Sequence, residues 1–188
     1  MARPRDPEKR KAILGAAILE IAEVGLGVAT AKIAARAGVA EGTLFTYFAS
    51  KDELLNELYR ELKLDLFERV NAEFPHGASL ERRARHVWSL SVGWMIESPE
   101  KRMVVRLLNL SSVVTAETRA SMAEQRGAID TMLDELDSRE SLRELPSGYA
   151  SALMAAMQEA AMDFAMKNAR QRKLLIDRGF DLFWRAVR

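Results

Sequence analysis

Around Gly38 the chain collects side chains suited to recognition rather than reaction: Glu41, Thr43, Phe45, Thr46 and Tyr47 follow it within ten residues. Hydroxyls, a carboxylate and an aromatic ring at this density can hydrogen-bond or make apolar contact with a partner's edges. Two short helices must present them. Ala34 is small where the second of three helices has to approach the first, and Gly38 permits the positive φ of a three- or four-residue turn. Ile33, Ala37, Val39, Leu44 and Phe48 can then form a small core against a helix at 8–24, leaving the polar set outward on an element narrow enough for a DNA major groove. A tight helical corner inside an all-helical protein is the alternative that spacing alone leaves open.

Reaction chemistry finds few residues to use. There is no cysteine, which excludes disulfide scaffolds, thiol nucleophiles and zinc ribbons. His76 sits in a Pro-Gly turn and His86 among Arg82, Arg83 and Arg85, without metal-ligand spacing and with a solvated basic face expected for His86. Phosphate loop, dinucleotide fingerprint and nucleophile elbow are all missing. Asp130, Asp134, Glu135 and Asp137 read as the polar face of a helix. No catalytic residue, metal or cofactor is expected.

The elements that would hold these residues are helical. Proline occurs only at 4, 7, 75, 99 and 146, and the long spans between carry apolar residues at three- and four-residue spacing. Asp6-Pro7-Glu8 is a helix start and Gly25-Leu26-Gly27 its stop. The next helix is expected after Thr30 as its cap, a third at about 41–48. Ser50-Lys51-Asp52-Glu53 reads as a capping box, Glu53 reaching back to the Ser50 N–H, and opens a helix broken at Pro75-His76-Gly77. Further helices are expected at about 79–97, 100–110, 116–140, 148–169 and 172–187. The prediction is an all-α chain of about nine helices: a three-helix helix-turn-helix module at 1–50 and a larger helical domain at 51–188.

Composition agrees. At 188 residues, 48% hydrophobic and 29% charged, the chain can bury a core and is too apolar for disorder. The net charge of +1 rules out a uniformly basic polyanion coat. Residues 1–51 nevertheless carry 8 basic against 5 acidic residues, so the positive end coincides with the recognition segment. Lys9-Arg10-Lys11 before Ala12–Leu19 has the outline of an export signal, but the apolar residues fall on one helical face and Glu20 and Glu23 follow. A cytoplasmic protein without membrane spans is expected.

The segment resembles the N-terminal DNA-binding module of the TetR family of bacterial regulators. Lys32-Ile33-Ala34, Ala37-Gly38-Val39, Gly42-Thr43-Leu44, Tyr47-Phe48 and Ser50-Lys51-Asp52-Glu53-Leu54 carry the likeness, which covers about residues 9–56. It implies a homodimer whose two reading helices enter successive major grooves of a palindromic operator. Thr30, Lys32, Thr43, Tyr47 and Lys51 would then serve the phosphates, and Glu41, Gly42, Phe45 and Thr46 the base edges. Arg3-Pro4-Arg5 could reach the minor groove as a basic arm or remain a solvated tail. The chain departs from the family pattern at Ala40, where a capping hydroxyl is usual, at Glu41, where a basic or amide group is usual, and at Phe45, which replaces a tyrosine.

The resemblance further implies a repressor released by a small, lipophilic effector held in the larger domain. Residues 79–188 hold eight of the nine methionines and all three tryptophans, and methionine suits surfaces that accept varied apolar shapes. Trp88, Trp94, Met103, Leu107, Met122 and Met157 are the candidate wall, with Asn109, Ser111, Ser112 and Thr115 as polar orienting groups or a solvated turn. For the dimer, Leu153, Met157, Ala160, Ala161 and Phe164, with Leu175, Leu182, Phe183 and Ala186, offer stripes for an intermolecular four-helix bundle. An intramolecular core would use the same residues. The competing function is an all-helical small-molecule carrier or enzyme in which 30–48 is only a corner.

Overall fold

The computed structural model describes residues 6–188, and among them there are ten α-helices, one 3-10 turn and no strand. The Arg3-Pro4-Arg5 tail lies outside the described residues. The helices are α1 (Pro7–Val24), α2 (Thr30–Arg36), α3 (Glu41–Tyr47), α4 (Lys51–Asn71), α5 (Leu80–Glu97), α6 (Pro99–Leu110), α7 (Ala116–Glu124), α8 (Ala128–Asp137), α9 (Tyr149–Lys167) and α10 (Arg172–Val187). No helix is long and apolar enough to cross a membrane.

The helix starts and stops follow local chemistry. Asp6 Oδ1 accepts from the Glu8 N–H at 3.0 Å, Pro7 opens α1, and Gly25 closes it at φ 88°. The single expected helix at 116–140 is two, because Gly127 takes φ 59° between α7 and α8 and the Asn71 amide donates to the Arg126 carbonyl at 3.1 Å. The break frees a carbonyl that a continuous helix would have used, and Asn71 satisfies it.

The chain forms two compact units, residues 1–64 with 98–122 and residues 65–97 with 123–188. The residue-50 boundary read from the sequence coincides with the start of α4, while packing carries the first unit to residue 64 and adds α6 to it. In this unit Ile13, Ala17 and Ile21 of α1, Ile33 and Ala34 of α2, Leu44 of α3, Phe48, and Leu54 and Leu58 of α4 are buried. Buried Asn56 ties the 111–115 loop to α4: its amide donates to the Asp52 and Val113 carbonyls, and its oxygen accepts from the Thr115 N–H.

The second unit centres on Trp88, which is 1% exposed, with Phe180 and Phe183 at ring distances of 5.9 and 6.0 Å. The Trp88 indole N–H donates to the Ile176 carbonyl at 3.2 Å. Gly179 lets α10 come this close to its neighbours, since a Cβ there would stand 3.0 Å from both Ala161 Cβ and the Trp88 ring. His86 is not on a solvated face. It is half-buried, its Nε2 lies 2.8 Å from the Val70 carbonyl, and its ring meets Phe74 edge-on. The end of α4 leaves that carbonyl without a helical partner, which is why the imidazole turns inward.

Candidate nucleic-acid interface

The turn between α2 and α3 fixes the angle of the motif. Gly38 sits at φ 69°, the Val39 N–H donates to the Ala34 carbonyl at 3.0 Å, and the Gly38 N–H donates to the Ala35 carbonyl at 3.1 Å. This is the double closure of a Schellman turn, which ties off the end of α2 and redirects the chain. Arg36 then holds α2 on α1: Nε donates to Glu20 at 2.7 Å and the two Nη groups grip Glu23 at 2.8 Å each. The hydrogen bonds that Arg36 donates to Glu23, with the one it donates to Glu20, raise its pKa against the opposing effect of burial.

α3 divides as its spacing predicts. Leu44 and, just beyond the helix, Phe48 are buried, while Glu41, Gly42, Phe45 and Thr46 are exposed and Thr43 and Tyr47 half-buried. A Cβ at Gly42 would meet nothing within 4 Å, so the chain itself does not need the glycine for packing. Phe45 keeps 43% of its surface in solvent, a phenyl ring left without cover. Ala40 is the N-cap of α3 and, as expected of an alanine, supplies no side-chain cap. Thr46 is exposed and donates its hydroxyl proton to the Gly42 carbonyl at 3.1 Å.

Charge at the face is unequally committed. Arg10 is engaged by Glu57 at 2.9 Å and Glu61 at 3.2 Å, and Arg36 by Glu20 and Glu23. Lys32 and Lys51 form no ion pair among the described residues. Their ammonium groups remain available to phosphate oxygens. Tyr47 is held differently: its hydroxyl accepts the Asp6 N–H at 3.0 Å, which leaves its own proton to donate outward. It lines a cleft of about 300 Å³ together with Asp6, Pro7, Arg10, Phe48, Glu53 and Glu57.

Two local readings are corrected. Thr30 is the first residue of α2 rather than its cap, which is Ala29, and the Thr30 hydroxyl donates to Glu41 Oε1 at 2.6 Å. A carboxylate is the stronger acceptor, and it draws the hydroxyl away from its own helix. In the box that opens α4, Ser50 Oγ accepts from the Glu53 N–H at 3.0 Å, but Glu53 returns to the Ala49 N–H at 2.7 Å, one residue before Ser50. Arg36, Asn56 and Arg119 carry no sequence signal of their roles, and Asp6 signals only its cap, not its backbone bond to Tyr47. Arg119 donates to the carbonyls of Leu108, Asn109 and Ser111, within the stretch read from the sequence as the cluster Asn109, Ser111, Ser112 and Thr115. The sequence does not signal the bonds of Tyr47 with Asp6, of Arg36 with Glu20 and Glu23, or of Asn56 with Val113, because these partners lie 13–57 residues apart.

Of the candidate effector wall, Trp88, Trp94 and Met157 belong to the second unit, and Met103, Leu107 and Met122 to the first. Trp88 is spent on its own unit's core, Trp94 is buried with its indole N–H on Asp65 Oδ2 at 2.9 Å, and Met157 is half-buried. Met122 is buried, Leu107 half-buried and Met103 44% exposed. Of the candidate dimer surface, Phe164 and Leu182 are 62% and 57% exposed, Ala186 is exposed, and Leu153 and Leu175 are half-buried. Phe183 is fully buried and does not share that surface. Adjacent residues on a helix point about 100° apart, so Phe183 joins the inner row of Phe180 and Val187 while Leu182 faces out.

Residues 13–58 match the family model described as bacterial regulatory proteins, tetR family. The fatty acid metabolism regulator protein of Bacillus subtilis (strain 168) is 30% identical over 122 residues, which is 64% of this chain and 58% of the relative. The chain thus spans little more than half the length of that curated relative. A solved structure described as a tetR family transcription regulator from Shewanella sp. PV-4 superposes with a TM-score of 0.83 at 27% identity, over 95% of this chain and 97% of the other. The regulator FadR of Bacillus subtilis, solved in complex with stearoyl-CoA, shares the fold at 22% identity with a TM-score of 0.70, over 94% and 97%.

Proposed function

Because the chain belongs to the TetR family of DNA-binding transcription regulators, we propose that it is a homodimeric repressor that binds a palindromic operator through α3 and is released by a small lipophilic effector. The observation that carries the DNA reading is the split of α3: Leu44 and Phe48 go into the core while Glu41, Gly42, Phe45 and Thr46 stay in solvent beside the unpaired Lys32 and Lys51. Thr43, Tyr47 and Lys51 take phosphates and fix the register; Gly42 lets the duplex come close, and Phe45 and the Thr46 methyl meet thymine methyls. Ala40, at the start of the helix, lies against the duplex without a bond of its own.

The dimer reading rests on Phe164 and Leu182, two large apolar side chains left mostly uncovered on α9 and α10. Small Ala160, Ala161 and Ala186 beside them allow close helix approach. The effector reading rests on the methionine- and tryptophan-rich stretch 79–188, on the name of the fatty acid metabolism regulator of Bacillus subtilis and on the stearoyl-CoA bound in the structure of FadR from that organism. An effector acts by binding one spacing of the reading heads better than another. A division into a reading module before residue 50 and an effector and dimer domain after it follows from these roles, in a protein that works in the cytoplasm.

Selection of bound duplexes from a random pool by the full chain tests this. Enriched palindromes with half-site centres about 34–36 Å apart are expected. No enrichment at low salt would instead favour the carrier or enzyme reading.

A further inference from the structure

The geometry points to a two-residue specificity filter: Thr30 fixes the Glu41 carboxylate so that it selects a base offering an amino group, cytosine before the others. This rests on the reading of the chain as a major-groove binder. Thr30 and Glu41 are the first residues of α2 and α3, so their 2.6 Å bond joins the starts of the two helices of the motif. That length is characteristic of a hydroxyl donating to an ionised carboxylate.

Three consequences follow. A hydroxyl has one proton, and while Thr30 gives it to Glu41 it cannot give it to a phosphate. The phosphate role that the resemblance implies for Thr30 is therefore displaced. Next, Glu41 is exposed and its Oε2 has no partner among the described residues, yet the side chain is already confined before DNA arrives, and a group ordered in advance loses less freedom on binding. Last, an ionised carboxylate only accepts. In the major groove guanine shows N7 and O6 and thymine shows O4, all acceptors; cytosine shows N4–H₂ alone, and adenine its N6–H₂ beside the acceptor N7. A mobile glutamate would avoid a wrong base by swinging into solvent. One tethered to Thr30 must give up the 2.6 Å bond to do so, which turns a generally repulsive charge into a discriminating one.

The full chain and three variants, Glu41→Gln, Thr30→Val and Thr30→Ser, are each used for duplex selection, with melting temperatures to show that they fold. The wild type is expected to enrich cytosine at one symmetric position of each half-site. Glu41→Gln should move that position to adenine, which pairs bidentately with an amide, and leave the rest of the site alone. Thr30→Val should flatten the same position by about fivefold or more, and Thr30→Ser should restore it. Should Glu41→Gln fail to fold, the two Thr30 variants still decide. Uniformly tighter binding by Glu41→Gln with an unchanged consensus would overturn the filter, as would a Thr30→Val variant that reads the same base equally well. A wild type that enriches no recurring sequence defeats the DNA reading itself, and the filter with it.

Discussion

The helix-turn-helix and the α9–α10 pair each leave side chains facing water, and the two sets differ in kind. On α3 the outward groups are a carboxylate, a hydroxyl-bearing threonine, a glycine and one phenyl ring, with two unpaired lysines nearby. On α9 and α10 they are Phe164, Leu182 and alanines, over an interior of Trp88, Phe180 and Phe183. A groove edged by phosphates rewards the first set, since polar groups trade water for matching donors and acceptors. Only another apolar surface rewards the second, through the area it removes from water. Under the proposed function the two surfaces serve different partners, DNA and a second copy, and that difference can be broken at either end.

The largest effect should come from the interior behind the apolar surface. Trp88→Ala removes the ring that Phe180, Phe183 and Gly179 enclose and is expected to cost about 3–5 kcal/mol. Denaturant unfolding measures it. A cost below about 1 kcal/mol would mean that the unit packs around something else. Next comes the surface itself. Phe164→Glu together with Leu182→Glu places two charges per chain on the proposed contact, and since both positions are mostly exposed in one copy, the fold should survive while the dimer does not. Sedimentation should show a monomer, and operator affinity should fall about a hundredfold or more as the two half-sites lose their coupling. A dimer that persists would relocate the interface.

The two regions were also unequally legible in the sequence. Gly38, Ala40 and the Ser50-to-Glu53 spacing are local devices, and the structure places the turn and the cap position where they indicate. Glu53 slipped by one residue because neighbouring N–H groups at a helix start compete for one carboxylate. What joins the module together was not visible: Arg36 to Glu20 and Glu23, Tyr47 to the Asp6 N–H, and Thr30 to Glu41 bring together residues 11–41 positions apart. In the second unit even the face of each helix was ambiguous. Leu182 and Phe183 both suited an apolar stripe, and only the position of Trp88 decides which of them turns inward. The Arg126-Gly127 break went unread because a lone glycine is tolerated inside many helices, and the Asn71 that supports it lies 55 residues away.

On the polar side the effects are smaller. Lys51→Ala should weaken binding to every duplex alike. Each dimer loses two phosphate contacts, so the salt dependence of log K should flatten by about 1.8. A loss confined to one base position would show that Lys51 reads bases. Ala40→Ser supplies the hydroxyl that α3 lacks at its N-cap, which is expected to add about 1 kcal/mol and raise the melting temperature by roughly 2–4 °C. A lower melting temperature would mean that the serine finds another acceptor.

The smallest effect tests whether an exposed ion pair contributes to the unit that carries α9 and α10. Arg69 grips Glu97 with two hydrogen bonds of 2.6 and 2.8 Å, and these hold the Glu97 carboxyl below its ordinary 4.5 while burial acts in the opposite direction. A carboxyl whose pKa is lowered by folding adds stability that is present above the unfolded value and is lost as the pH falls through the folded one. Glu97→Gln should therefore melt slightly below wild type at neutral pH. The gap should close on acidification below pH 4.5, where the wild-type side chain also becomes neutral, and it should narrow in high salt, because Glu97 is exposed. If the gap stayed constant across that range, the contact would be holding α5 through geometry rather than charge.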